Sequence, residues 1–406
     1  MNSRKETIEP EQQQKISLPA NARILVVKMA GIGDLLLATP ALRALRESYP
    51  QARIDLLVTP DSAGLLNGWD AINKIIVLDK YLFDAPQQMV TKPENIARLA
   101  VLWNALREGH YDAVLLLHHL TLPFGRIKHQ VLMRATGAKW RVGLDNGHGW
   151  FLNVRVLDQG FGEKHEAEYA MAVAEAVGAK IGSKRLYLPL SEEDRAKARQ
   201  LVYGEEDPGE VERPIIAIHP GTGGYSTARR WEPERFAQLA NRLIREVGGQ
   251  ILLIGGPEEG ELHRQIMSML SAEVPVRSLA GKGSIKVSGA VLELVDLFIG
   301  NDAGPMHLAA AAGAPVVAIF GLSNHQAWGP YTGDAAGKRA SVVRLDLPCM
   351  PCFYRGHELG TPEGCATRDC LALLGVDPVD VAARKMLRET GTWGRAKEGR
   401  QPGLPN

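Results

Sequence analysis

The stretch ILVVKMAGIGDLLLATP, Ile24–Pro40, decides how this chain is read. Four apolar residues lead into a turn with two glycines one residue apart, and a leucine-rich run follows. That is the outline of a buried strand, a tight turn and a helix, as at the start of a dinucleotide-binding unit. The outline then breaks. The third glycine of G-x-G-x-x-G falls where Leu36 stands, and Asp34 puts a carboxylate where a cofactor pyrophosphate needs neutral or positive surroundings. Asp55, near the start of the next strand rather than at its end, is also misplaced as a ribose-binding acid. A nicotinamide dehydrogenase is therefore disfavoured, and the role of Asp34 becomes the question.

Outward from this stretch the chain has two halves with one grammar. In the first, the apolar runs ILVVK (24–28), RIDLLV (53–58), KIIVL (74–78) and AVLLL (113–117) alternate with helical segments such as ALRALRES and ENIARLAVLWNALREG. Continuous apolar runs between amphipathic stretches indicate buried parallel strands with crossover helices. The stretch SEEDRAKARQLVYGEEDPGEVERP reads as a charged helix and an acidic linker. The second half restarts with PIIAIHPG, QILLIGGPEE, VDLFIGND and PVVAIFG. The expected organisation is α/β: a flexible N-terminal extension (1–20), two doubly wound domains (21–205 and 206–385) and a C-terminal tail (386–406). In such domains ligands bind outside the carboxyl ends of the strands.

Composition narrows the class. At 406 residues the chain exceeds one ordinary core. Its formal net charge of +1 lacks the basic excess of a nucleic-acid binder. No apolar run reaches the length of a membrane-spanning helix. The polar N-terminus has no signal-peptide core, so a cytoplasmic protein is expected. All four cysteines fall late, at Cys349, Cys352, Cys365 and Cys370, which in a reducing compartment suggests a metal site or chance rather than disulfides.

The second-half loops carry the chemistry. HPGTGGYSTARRW (219–231) is glycine-rich and ends in two arginines. Glycines let backbone N–H groups approach an anion, and guanidinium groups bind phosphate by paired hydrogen bonds. In NDAGPMHLAAAAGAP (301–315), Gly304 and Pro305 open an alanine-rich helix, whose N-terminus suits a diphosphate.

Together, GIGDLLLATPALRAL, HPGTGG…ARRW and GNDAGPMHLAAAAGAPVVAIFG resemble glycosyltransferase family 9, the ADP-heptose:lipopolysaccharide heptosyltransferases and relatives. The resemblance runs from about Arg23 to about Ala383. It implies a GT-B fold, two Rossmann-like domains facing a central cleft, with an acceptor-binding first domain and a nucleotide-sugar-binding second. It implies an inverting transfer of heptose from ADP-heptose to a lipopolysaccharide core acceptor. The acceptor is an anionic, lipid-linked saccharide, Kdo-lipid A or heptosylated core, which implies peripheral contact with the cytoplasmic face of the inner membrane.

Residue by residue, the resemblance makes Asp34, beside Gly33, the catalytic base; helix capping is its plainer alternative. Arg229 stands where the family has a lysine, replacing a point charge by a planar fork, and Arg230 shares the task or merely caps the loop. Thr222 and the backbone of Gly304, Pro305 and Met306 complete a phosphate cradle, while Asp302 holds a loop or a sugar hydroxyl. His307 belongs to the donor site or to the core, and Glu258 to a ribose hydroxyl or to solvent. Arg126, Lys128 and Arg134 suit an anionic acceptor or an ordinary exposed helix face. No cofactor or divalent metal is expected in catalysis. The C-x₂-C…C-x₄-C pattern is close to that of a structural zinc or iron site. Another GT-B enzyme using a different nucleotide sugar, and a non-catalytic nucleotide-binding module, share these features of fold.

Overall fold

The computed structural model describes residues 15–79, 93–204, 213–335 and 339–393. The chain forms two compact units. The first ends at Lys184 and takes in Arg355–Leu359; the second begins at Arg185.

The first unit is built on a parallel sheet: β1 (Arg23–Val27), β2 (Arg53–Val58), β3 (Lys74–Val77), β4 (Ala113–Leu116), β5 (Trp140–Asp145) and β6 (Val154–Leu157), in the order β3-β2-β1-β4-β5-β6. The second carries β7 (Ile215–His219), β8 (Gln250–Leu253), β9 (Val276–Ser278), β10 (Leu297–Asn301), β11 (Val316–Ile319) and β12 (Ala340–Val343), in the order β12-β11-β10-β7-β8-β9. Read from its other edge, the second sheet repeats the first. Each is doubly wound, with its direction of growth reversing between β1 and β4, or between β7 and β10. Parallel sheets covered on both faces need strands apolar on both sides, and β1, β4, β7, β10 and β11 are buried through nearly their whole length. A small ribbon, β13 (Phe353–Arg355) with β14 (Glu358–Gly360), completes the strands.

Three expected boundaries move. The helix Glu192–Tyr203 belongs to the second unit rather than ending the first at 205. A capping box between Ser191 and Asp194 starts it, Ala198, Val202 and Tyr203 are its buried stripe, and Arg195 pairs with Glu293 at 2.9 Å. The charged helix was expected to close the first domain, but its small apolar stripe decides its packing. The N-terminal extension is pinned before residue 20: Ile16 N donates to Ala176 O at 2.9 Å, and Leu18 is buried. Residues 1–14, on which the rest of that expectation fell, lie outside the described residues. Likewise 386 starts no tail, because the helix Val376–Glu389 runs on and buries Met386 and Leu387; residues 394–406 lie outside the described residues.

Candidate functional site

At the switch point of the first sheet a charged side chain follows an apolar strand. In the first unit the chain leaves β1 through Lys28, turns at Gly31 and enters a short helix, Ile32–Leu37. Leu36, the residue in place of the expected glycine, is fully buried and anchors that helix in the core. Gly31 is the N-cap and makes no side-chain cap bond; Asp34 lies inside the first turn with buried Gly33 beside it. Asp34 is thus not the cap of this helix. Its Oδ1 lies 3.5 Å from Lys28 Nζ, and its side chain is 32% exposed while that of Lys28 is 6% exposed. Lys28 Nζ also donates to Leu117 O, just past β4, at 3.0 Å. A buried ammonium needs an anionic partner, and this one holds a carboxylate open to solvent.

The end of β4 stiffens the turn. Met29 N donates to His118 Nε2 at 2.8 Å, which fixes that nitrogen as an acceptor. His119 lies between Asp158 (Nδ1–Oδ2 2.8 Å) and Glu166 (Nε2–Oε1 2.8 Å). Burial disfavours its charge, but Glu166 and Asp158 outweigh that and raise its pKa to about 9. Neither Lys28 nor His119 stood out in the sequence. The one signal was a lysine closing an otherwise apolar strand.

In the second unit the loop 220–231 is held from below. Asn301, fully buried at the end of β10, donates to Pro220 O (2.7 Å) and Gly221 O (3.2 Å) and accepts from Trp231 N (3.1 Å). A Cβ on Gly221 would sit 1.5 Å from Glu259 Oε1, so only glycine fits over that carboxylate. Glu259 is buried and pairs with His219 Nε2 at 3.1 Å, whereas its neighbour Glu258 is exposed. Asn301, Glu259 and His219 are the loop supports that motif reading passed over.

Arg229 Nη1 meets Asp302 Oδ2 at 3.2 Å, and Ser323 Oγ donates to the same oxygen at 2.5 Å. Asp302 therefore ties the loop after β10 to the loop after β7. Thr222 is less free than expected of a phosphate ligand: its hydroxyl donates to Ser226 O (2.9 Å) and accepts from Arg230 Nε (3.2 Å). Arg230 Nη2 reaches Gly223 O at 3.4 Å. The helix Gly304–Ala312 begins without a side-chain cap, and His307 is buried in its first turns. Pro305 has no N–H, and that of Met306 goes to Ala303 O at 3.1 Å, so of the three expected cradle residues Gly304 is the one with an N–H to offer.

The four cysteines lie near one another, and burial together with Cys365 and Cys349 raises the pKa of the Cys352 thiol. Among the described residues no three His, Cys, Asp or Glu side chains are placed to hold one ion. Cys349 and Cys365 are exposed, and Cys365 Sγ accepts from Arg368 N at 3.3 Å. Cys370 is buried in the helix Asp369–Ala372, where burial and the neighbouring cysteines push its thiol up to about 11. Protein contacts hold the segment: Ser226 Oγ donates to Pro362 O at 2.6 Å, and the ring of Tyr354 lies 4.0 Å from that of Trp328.

Residues 99–361 match the family described as "Glycosyltransferase family 9 (heptosyltransferase)". The chain belongs to that family. Lipopolysaccharide heptosyltransferase 2 of Salmonella typhimurium is 28% identical over 332 residues, covering 80% of this chain and 88% of the relative. A family 9 glycosyltransferase from Veillonella parvula superposes with a TM-score of 0.65 at 25% identity, over 80% of this chain and 87% of that one. The Escherichia coli ADP-heptose heptosyltransferase II structure gives 0.65 at 23% identity, over 91% and 99% respectively. The fold is GT-B, and the protein is a glycosyltransferase.

The pairing of Lys28 with Asp34 gives a first expected result. Lys28→Met should lower kcat roughly tenfold, as for loss of one charge-assisted interaction, and leave ADP affinity unchanged. Steady-state transfer assays beside calorimetric ADP titrations check it; a loss confined to ADP binding would detach Lys28 from Asp34.

Proposed function

We propose that the protein is an inverting ADP-heptose:lipopolysaccharide core heptosyltransferase, with the first unit taking the acceptor and the second the nucleotide sugar. The carrying observation is the contrast between switch points. A lysine-held carboxylate stands at the first, and arginines with a helix N-terminus stand at the second.

In this reading Asp34 is the general base. The acceptor hydroxyl oxygen bonds to the anomeric carbon as the bond from that carbon to the diphosphate oxygen breaks. The hydroxyl proton passes to Asp34, and ADP departs with the bonding electron pair. Attack from the face opposite the leaving group inverts the centre. Arg229 and Arg230, with the Gly304 N–H at its helix N-terminus, offset the charge that develops on the diphosphate. Pro305 presets the first helical turn and Met306 is part of it, while Thr222 aims Arg230. Asp302 orients Arg229, Glu258 is assigned to a ribose hydroxyl, and His307 supports the donor site from within the helix.

Among the described residues no helix is long and apolar enough to cross a membrane. A Kdo-lipid A or heptosylated-core acceptor places the enzyme at the cytoplasmic face of the inner membrane as a peripheral protein. The test is a panel of ADP- and UDP-sugars with lipid-linked core acceptors, read by nucleotide release and product mass. Turnover is expected with ADP-heptose; preferential use of a UDP-sugar would overturn the assignment. Transfer should also persist in EDTA, because arginine and helix-terminal charge replace a divalent ion. Loss in EDTA with specific recovery in magnesium contradicts this.

A further inference from the structure

The helix Pro123–Ala135 buries Leu132, Met133 and Ala135 in the core of the first unit, yet it is apolar on its outer side too. Phe124, Ile127 and Val131, spaced by three and four residues, share one helical face. These three, with Leu122 before the helix and Trp150, are each between 45% and 56% exposed. By helical spacing Lys128 and Arg134 border that face on opposite sides, and the Arg134 guanidinium lies 5.7 Å from the centre of the Trp150 ring.

The surrounding charge is one-sided. Between Asp112 and Asp145 the sequence has no acidic residue, but it has Arg126, Lys128, Arg134, Lys139 and Arg141, in a chain whose net charge is only +1. An outward helix face is ordinarily polar, and a contiguous exposed apolar patch marks an interaction surface. Aromatic and aliphatic side chains with basic borders match a helix lying in the headgroup region of an anionic bilayer. A second copy of this chain fits poorly, since a two-fold contact sets the same basic patch against itself.

We propose that the Phe124/Ile127/Val131 face docks the enzyme on the surface of an anionic lipid bilayer. This rests on the reading of a lipid-linked acceptor, and it assigns the contact to particular side chains. Docking confines enzyme and acceptor to one surface and raises their encounter without any new contact to the sugar.

The full-length protein is tested by co-flotation with phosphatidylcholine vesicles, alone or with about 30% phosphatidylglycerol. Flotation is expected only with the anionic vesicles, with release in about 0.5 M salt. The double variant Phe124→Glu/Ile127→Glu should partition at least about tenfold less. Lys128→Gln and Arg134→Gln should each reduce binding about fivefold. Circular dichroism and ADP titration establish that each variant is folded. Wild-type protein that fails to float, or a folded double variant that floats like wild type, overturns the proposal. A concentration-dependent dimer abolished by the double variant, with vesicle binding unchanged, overturns it in favour of a contact between copies. Transfer to a lipid-free acceptor separates the two readings: the double variant should retain it. Protein that floats as described but transfers no heptose sinks the functional reading and upholds the surface.

Discussion

Asp34→Asn is expected to lower kcat by about 10²–10⁴-fold, the usual contribution of a general base, with little change in donor affinity. The substitution keeps the size and planarity of the side chain and removes its capacity to take a proton. Its structural cost should be small. Asp34 is partly exposed and is not the N-cap of its helix, and its ion-pair partner Lys28 retains a hydrogen bond to Leu117 O. Single-turnover measurements with saturating donor and acceptor isolate the chemical step. If Asp34→Asn keeps near-normal kcat, the base lies elsewhere and the carboxylate serves only to neutralise Lys28. Lys28→Met, measured beside Asp34→Asn, completes the comparison. A base that depends on its lysine loses activity in both variants, whereas a merely neutralising aspartate leaves both active.

The parts of this molecule that were legible in its sequence are those fixed by burial. Strands such as ILVV and AVLLL are covered on both faces, so their composition alone names them. Two of the edge strands were not legible in the same way: Val154–Leu157 alternates buried and less buried residues, and Ala340–Val343 is mostly half-buried. The helix Glu192–Tyr203 misled because nine of its twelve residues stay out of the core while only Ala198, Val202 and Tyr203 decide which unit it joins. At the candidate site, the half-buried groups of the motifs were visible: Asp34, Arg229, Arg230 and Gly304. Their supports were not, because Lys28, Asn301 and Glu259 act through partners distant in sequence, such as Leu117 for Lys28 and His219 for Glu259. For the cysteines, spacing does not reveal that Cys370 is buried while Cys349 is exposed.

Arg229→Ala is expected to weaken ADP and ADP-sugar binding together by at least tenfold, since a charge-assisted hydrogen bond is worth roughly 1.5–3 kcal/mol and the diphosphate is common to both. The structure adds a second consequence. Asp302 is buried between Arg229 and Ser323, so removing the arginine leaves a carboxylate with one hydroxyl partner in the interior. Breaking a buried pair from one side commonly costs about 3–5 kcal/mol, and the variant should also melt at lower temperature. The double variant Arg229→Ala/Asp302→Ala separates the two effects. It no longer carries the stranded charge and should recover most of the lost stability. If the guanidinium itself grips the diphosphate, calorimetric ADP affinity stays low in the double variant. If ADP affinity returns with stability, Arg229 serves only to hold Asp302, and the phosphate charge falls to Arg230. Arg229→Lys tests the shape of the group rather than its charge. A lysine restores a point charge at the position where the family resemblance expects one, but a single ammonium lacks the planar fork. It should therefore recover part of the ADP affinity and little of the directional bond to Asp302.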